Sequence, residues 1–149
     1  DIRWKRCDIK SVSLLPNVLA KQQARETSAY EAWMIDESNH ITEGSSTNAW
    51  IVNESRDLVT RQLDNAILSG ITRMVISDLA MRQKRRLVNR PFTVKEATDA
   101  TEAFLTSTTS FVTPVVRING IPVGEGIPGP VTRALCDLYE THLSGQAGE

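Results

Sequence analysis

Three short stretches of the sequence carry groups that could act together in one reaction. Lys10 lies in an extended-looking run just before a helix that starts with a proline, Pro16. Glu43 opens a loop rich in glycine, serine, threonine and asparagine. Gly70 precedes an apolar-periodic helix, whose free first-turn N–H groups could bind a phosphate. The three stretches could therefore supply an amine nucleophile, a carboxylate and a backbone site that binds an anion.

These three groups are what pyridoxal 5'-phosphate requires from a protein. A lysine forms a Schiff base with the cofactor, a carboxylate keeps a proton on the pyridine nitrogen, and a helix start holds the phosphate. Burial or nearby cations favour the free amine that the lysine needs for this chemistry. Each residue alone predicts little, because a lone strand lysine is usually just solvated and a loop glutamate often caps a turn.

Four motifs in a fixed order connect these residues to a known family. They are Asp-Ile-Lys-Ser at residues 8–11, Thr-Glu-Gly-Ser-Ser at 42–46, Ile-Leu-Ser-Gly-Ile-Thr-Arg at 67–73 and Phe-Leu-Thr-Ser at 104–107. Together they resemble the D-amino-acid and branched-chain aminotransferase family, the class called fold type IV. The resemblance runs from residue 1 to about residue 139, nearly the whole chain.

The resemblance implies a role for each residue of the proposed site. Lys10 is the catalytic residue that bears pyridoxal 5'-phosphate, Glu43 faces the pyridine nitrogen, and Leu68 packs against the ring. The remaining cofactor-binding residues are Gly70, Ile71, Thr72, Ser107, Thr108 and Ser46. A simple polar turn would explain Ser107 and Thr108 nearly as well. We expect no metal site, because the histidines and cysteines lack ligand spacing.

Two departures from the branched-chain pattern bear on the substrate. That subgroup usually carries a tyrosine five residues after the lysine and Glu-Asn after the glycine-serine loop. This chain has Ser-Leu-Leu at 13–15 and Thr-Asn at 47–48. Both departures favour a D-amino-acid (D-alanine) aminotransferase, which exchanges an amino group between a D-amino acid and a 2-oxo acid. The alternatives are an (R)-selective amine or branched-chain aminotransferase, aminodeoxychorismate lyase, or an inactive cofactor-binding fragment.

Composition bounds the class of protein. The chain has 149 residues, 40% hydrophobic and 23% charged, with a net charge of −1, which fits one globular domain and gives no reason to expect nucleic acid. No apolar run approaches the roughly 20 residues that span a membrane. Cys7 and Cys136 lie far apart, so a reducing cytoplasm is expected.

Hydrophobic periodicity predicts a mixed α/β domain with many short strands. We expect helices over residues 16–26, 71–83, 94–100 and 131–143. We expect strands over residues 1–10, 29–36, 41–43, 49–53, 58–61, 103–106, 112–118 and 121–123. A Thr-x-x-Glu capping box at residues 93–96 and an Asn-Gly turn at 119–120 are the sharpest local signals.

The resemblance also implies how the domain fits into a larger protein. Residues 1–149 form the C-terminal, lysine-bearing domain of a fold type IV enzyme, a barrel-like sheet with outer helices. We expect an ordered core over 1–143 and a flexible tail over 144–149. The family's N-terminal domain, absent from this chain, supplies the substrate-carboxylate pocket, and the complete enzyme is a homodimer.

Overall fold

The computed structural model describes residues 1–12 and 14–146, and within them it contains four helices and nine strands. The helices are α1 (Leu15–Glu26), α2 (Ile71–Arg82), α3 (Val94–Thr98) and α4 (Pro130–Gln146). The strands are β1 (Trp33–Ile35), β2 (Ile41–Gly44), β3 (Asn48–Val52), β4 (Leu58–Thr60), β5 (Leu87–Asn89), β6 (Glu102–Ser107), β7 (Phe111–Val115), β8 (Arg117–Ile118) and β9 (Ile121–Pro122). The mixed α/β class is confirmed.

The strands are divided among three hydrogen-bonded sheets. Five strands form the main sheet in the order β5-β4-β3-β6-β7, in which the β4–β5 pair is parallel and the other pairs are antiparallel. The β1–β2 and β8–β9 pairs form two-stranded ladders. The central strand β3 is therefore flanked on both sides, which fixes the position of the loop that leads into it.

The core lies on both faces of the main sheet. Side chains alternate along β3, so that Trp50 belongs to a cluster with α2 and α4, whereas Ile51 belongs to a cluster with Phe92 and α3. Every residue of β3 is buried as a result. Burial on both faces gives the sheet the rigidity that a binding site built on its edge requires.

Local signals explain the helix boundaries. Pro16 lies in the first turn of α1, where its missing N–H costs no hydrogen bond. At α3 the hydroxyl of Thr93 accepts from the N–H of Glu96 at 3.1 Å, and the Glu96 carboxylate accepts from the N–H of Thr93 at 2.9 Å. This confirms the capping box. In α2, Ile76 and Ala80 lie one turn apart and are fully buried.

The prediction of a strand over residues 1–10 is wrong. Residues 1–12, here called the N-terminal segment, contain bends and turns, and their backbone bonds are mostly local, such as Ile9 N–H to the Arg6 carbonyl at 3.1 Å. Arg6 and Asp8, which would share one face of a strand, instead form an ion pair across a turn at 2.9 Å. Among the described residues, no neighbouring strand pairs with this segment to form a ladder.

Other boundaries differ from the predictions as well: β1 is shorter than the strand expected over 29–36, α3 ends at Thr98, and the strand expected over 112–118 is divided into β7 and β8. Strand β5 was not predicted, because its three residues lie between Arg86 and Arg90 and are too few to show an alternating pattern. The tail expected from residue 144 is helical as far as Gln146, where Ser144 donates back to the Glu140 carbonyl at 2.9 Å. Residues 147–149 lie outside the described residues. Among those described, no helix has both the length and the apolar character needed to cross a membrane.

Candidate active site

A cavity of about 580 Å³ opens where the N-terminal segment, the start of α1, the β2–β3 loop, the start of α2 and the end of β6 meet. Its volume is in the range of roughly 300–1,000 Å³ common for small-molecule sites. Every predicted site residue lines this cavity: Lys10, Glu43, Ser46, Leu68, Gly70, Ile71, Thr72, Ser107 and Thr108. Residues separated by almost a hundred positions thus share one cavity.

Glu43 lies on β2, is the acid among the described residues that line the cavity, and is only 6% exposed. One carboxylate oxygen, Oε2, accepts from the Leu68 N–H at 3.0 Å and from Asn48 Nδ2 at 3.1 Å. The other, Oε1, accepts from Arg3 Nη1. The carboxylate is therefore fixed in place by three donors from three parts of the chain.

Arg3 is the cation that balances Glu43. Its guanidinium also donates to the Asp1 carboxylate, to the Ala66 carbonyl at 2.8 Å and to the Thr42 hydroxyl at 3.2 Å. Burial raises the pKa of Glu43 above its ordinary value of 4.5, and the charge and hydrogen bond of Arg3 oppose this rise, as does Lys10 more weakly. Arg3 thus favours the ionised carboxylate in a site where burial disfavours it.

Asn48 joins two of the predicted pieces. Its side-chain amide donates to Glu43 and also to the Leu68 carbonyl at 2.9 Å. A side chain at Gly70 would place its Cβ 2.2 Å from the Asn48 Oδ1, so only glycine permits this approach. Asn48 therefore sets both the carboxylate and the entry to α2.

The start of α2 presents unsatisfied backbone donors. Within the described part of the chain, no side chain caps the helix at Gly70, and the first-turn N–H groups have no carbonyl one turn earlier to bind. Ile71 and Thr72, which carry two of these N–H groups, line the cavity. An anionic group would be stabilised there by these donors and by the helix dipole.

Lys10 differs from these residues in its surroundings. It is exposed, in irregular backbone of the N-terminal segment, and it lines the cavity together with Cys7 and Ile9. The segment is tied down at Arg3 and by Cys7 N–H to the Asn65 carbonyl at 2.8 Å. The lysine is therefore positioned by two anchors on its N-terminal side and by α1 on the other.

The hydroxyls of the site are largely engaged with protein groups. In the loop of residues 45–47, Ser46 Oγ donates to Glu31 Oε2 at 3.1 Å, and Ser45 and Thr47 donate to the same carboxylate. Ser107 Oγ accepts from the Ser110 N–H at 3.0 Å and contacts the Ser110 hydroxyl at 2.7 Å. Thr108 lies exposed at the rim. Ser46 and Ser107 thus line the cavity with hydroxyls that already have partners.

Comparison with known proteins places the chain in a family. The sequence model of amino-transferase class IV matches residues 1–118, well over half of the chain. The chain belongs to the class IV aminotransferases. It is 39% identical over 149 residues to a D-alanine aminotransferase of Listeria monocytogenes and 41% identical over 147 residues to one of Staphylococcus aureus. These alignments cover 100% and 99% of this chain, and 51% of each relative.

Solved structures of class IV enzymes share the fold. A branched-chain amino acid aminotransferase from Thermobaculum terrenum in its PLP form superposes with a TM-score of 0.88 at 27% identity, over 94% of this chain and 46% of its own. A branched-chain aminotransferase from Thermoproteus uzoniensis with norvaline gives 0.85 at 28% identity, over 93% of this chain and 48% of its own. The predicted fold type is confirmed. The chain spans about half the length of the curated relatives it matches.

Sequence reasoning missed three residues of this class IV site. Arg3, Asn48 and Glu31 were not assigned roles, although they hold Glu43, the entry to α2 and the loop of residues 45–47. Asn48 follows that loop directly, so its proximity to Glu43 could have been inferred. Nothing in the local sequence indicates that Arg3 would reach Glu43 forty positions away.

Proposed function

We propose that this chain is the lysine-bearing, cofactor-binding half of a pyridoxal 5'-phosphate-dependent aminotransferase acting on D-amino acids and 2-oxo acids. The observation that carries the proposal is the meeting of Lys10, the buried Glu43 and the open start of α2 in one cavity. The 39–41% identity to D-alanine aminotransferases supports the choice of D-amino acids. A domain preceding this one in the complete protein would supply the other wall of the site.

The residues of the cavity fit the cofactor in their chemistry. When bound, pyridoxal 5'-phosphate supplies an aldehyde carbon that bonds to amines and a ring that stabilises negative charge at the substrate's α-carbon. Lys10 would attach it, Glu43 would hold its pyridine nitrogen, and Leu68 would pack against the ring. Ile71 and Thr72 would bind the phosphate with their backbone N–H groups, and Ser107, Thr108 and Ser46 would border it.

Each of these residues then has a defined task. Once the substrate's amine had displaced Lys10 from the cofactor, Lys10 Nζ would take the proton from the substrate's α-carbon. It would then deliver this proton to C4′, the carbon that the cofactor's aldehyde provides. Glu43 would keep the pyridine nitrogen protonated, and Arg3 would keep Glu43 ionised in its buried position. Asn48 would hold the carboxylate at a fixed distance from the start of α2.

The experiment is an activity assay on the complete protein. D-alanine with 2-oxoglutarate should give pyruvate and D-glutamate with ping-pong kinetics, and borohydride should trap the cofactor on Lys10. Pyruvate released without an acceptor would identify a lyase. A protein that shows no visible absorption band with pyridoxal 5'-phosphate would be an inactive fragment, contrary to the proposal.

A branched-chain aminotransferase is the second candidate, favoured by the structural similarity to such enzymes. Preference for L-leucine or L-valine over D-alanine would establish it. We expect the homodimer and the cytoplasmic location in either case, and these remain predictions for size-exclusion chromatography and cell fractionation of the complete protein. The 149 residues alone should not turn over substrate, because proximity is lost without a full pocket.

A further inference from the structure

Arg73, in the first turn of α2, is a buried cation with no anion among the described residues to balance it. It is 5% exposed, and its guanidinium donates to two neutral acceptors, the Arg61 carbonyl at 2.8 Å and the Asn89 side-chain oxygen at 3.0 Å. Its Nε has no hydrogen-bond acceptor among the described residues. Burial lowers the pKa of Arg73, and no carboxylate of the described residues opposes that shift.

A buried charge of this kind is costly unless a counter-ion stabilises it. Arg61, a largely buried arginine close to Arg73, has such partners: it pairs with Asp36 at 2.9 Å and with Asp64 at 3.0 Å. Around Arg73 the contacts are neutral, including the Trp50 ring, whose centroid lies 5.8 Å from the guanidinium carbon. Within the described part of the chain, Arg73 thus differs from Arg61 in having no charged partner.

The position of Arg73 indicates where the balancing charge would come from. Gly70 is close: a Cβ built there would lie 3.6 Å from the Arg73 Cβ. The guanidinium also lies over the ring of Trp50, whose indole N–H donates at 3.0 Å to the hydroxyl of Thr106, a residue that lines the cavity. Arg73 is not among the residues that line the cavity, whereas Gly70, Ile71 and Thr72 just before it are, so its guanidinium lies behind the start of α2.

We propose that Arg73 is an electrostatic positioning residue for the cofactor's phosphate, which it attracts from behind the first turn of α2 without touching it. The inference rests on the proposed function and adds a source of selectivity to it. A phosphate dianion at the start of α2 would supply the missing countercharge, and the low effective dielectric of the interior would carry the attraction to the guanidinium behind it. The site would thereby select the phosphorylated cofactor over its dephosphorylated form.

A purely structural role is the competing interpretation. The two hydrogen bonds of Arg73 join α2 to the ends of β4 and β5, and such a clamp alone could explain its burial. The two interpretations differ in what they predict for ligands. A clamp affects every ligand of the cavity alike, whereas a charge affects only ligands that carry the phosphate.

The test measures the binding of pyridoxamine 5'-phosphate and of pyridoxamine to the complete protein by isothermal titration calorimetry. Neither ligand can bond covalently to Lys10, so the ratio of their Kd values isolates the phosphate. In Arg73→Met, the preference for the phosphorylated ligand should fall by about tenfold or more, while the Kd of pyridoxamine changes less than about twofold. Arg73→Lys, which keeps the charge, should retain most of the preference.

Two matched variants separate charge from clamp. Asn89→Ala removes one hydrogen bond of Arg73 but leaves its charge, and Arg61→Met removes a cation that already has carboxylate partners. Both should leave the preference unchanged. The inference is overturned if Asn89→Ala lowers the preference as much as Arg73→Met, or if Arg73→Met weakens both ligands equally. If the wild-type protein binds neither ligand, the proposed function fails first.

Discussion

Glu43 and Lys10 line the same cavity, yet they lie on parts of the chain with opposite physical character. Glu43 lies on a strand, buried beside β3, a strand that is covered on both faces. Lys10 lies in an exposed segment without helix or strand, held mainly by the ion pair of Arg3 and by one long-range backbone hydrogen bond. The cavity therefore has two walls: the packed wall, which carries Glu43 and is fixed by the core, and the N-terminal segment, which carries Lys10 and is fixed by a few polar contacts.

The difference suggests how the site divides its work. Groups that only hold a ligand gain from a rigid frame, because a fixed carboxylate and a fixed helix start need not reorganise on binding. A lysine that forms and breaks a bond must instead change position within each turnover. The contrast therefore predicts that truncating an apolar residue of the packed frame reduces stability and that removing its buried carboxylate slows the reaction it supports, whereas changes at the lysine remove the chemistry and leave stability unchanged.

Lys10→Ala is the largest test of this contrast. Loss of the covalent route should reduce turnover by several orders of magnitude, roughly 10³-fold or more, and should abolish the adduct that borohydride traps. Because Lys10 is exposed and unpacked, the free energy of unfolding should change by less than about 0.5 kcal/mol. Lys5→Ala, an exposed lysine of the same segment that does not line the cavity, is the control. A trappable adduct in Lys10→Ala would contradict the assignment.

Glu43→Ala removes the buried carboxylate from the packed side of the cavity. We expect α-proton abstraction to slow by roughly 10²-fold or more, because the pyridine nitrogen loses its anionic partner, while cofactor affinity falls much less. Single-turnover kinetics with an α-deuterated substrate would separate the two effects. Glu54→Ala, in the exposed turn after β3, should change neither. A wild-type deprotonation rate in Glu43→Ala would reduce Glu43 to a structural role.

Ile76→Ala tests the frame itself. Ile76 is 0% exposed between α2 and the main sheet, so its truncation should cost about 2–5 kcal/mol of unfolding free energy. Ile121→Ala, 54% exposed on the β8–β9 hairpin, should cost less than about 0.5 kcal/mol. Chemical denaturation of the complete protein would measure both. Similar costs for the two changes would show that the main sheet is not the stabilising core.

The packed part of the site could be predicted from the sequence better than the N-terminal segment could. The capping box at Thr93 and the turn at Asn119-Gly120, whose φ angles are +49° and +79°, were predicted because a few neighbouring residues decide them. The motifs around Glu43 and Gly70 were likewise local, and the structure brings them into one cavity. Their chemical roles stay predictions.

What could not be predicted depends on contacts between distant residues. The N-terminal segment has alternating charges that are typical of a strand, but no partner strand lies beside it in the described part of the chain, and so it turns on itself. The sequence places Arg73 at the start of a helix but does not indicate that the fold buries it against Trp50. Periodicity reports which faces are apolar and does not report which charge will be enclosed.

Arg3 connects the two walls, and its replacement should give the smallest and most specific effect. Without the guanidinium, burial acts on Glu43 with less opposition and raises its pKa further above 4.5. A raised carboxyl pKa means that Glu43 is protonated up to a higher pH, so the acidic limb of the pH–rate profile should move to higher pH in Arg3→Met. Near the alkaline side, where Glu43 is ionised in both proteins, the rates should converge.

Arg3→Lys keeps a cation beside Glu43 and is the matched control, so its acidic limb should stay close to that of the wild type. The profile of kcat from about pH 5 to about pH 9 would measure the shift in the complete protein. If Arg3 only tied down the N-terminal segment, both substitutions would lower the rate at every pH without moving the limb. If the acidic limb moves to higher pH in Arg3→Met but not in Arg3→Lys, the cation of the N-terminal segment sets the ionisation of Glu43 on β2.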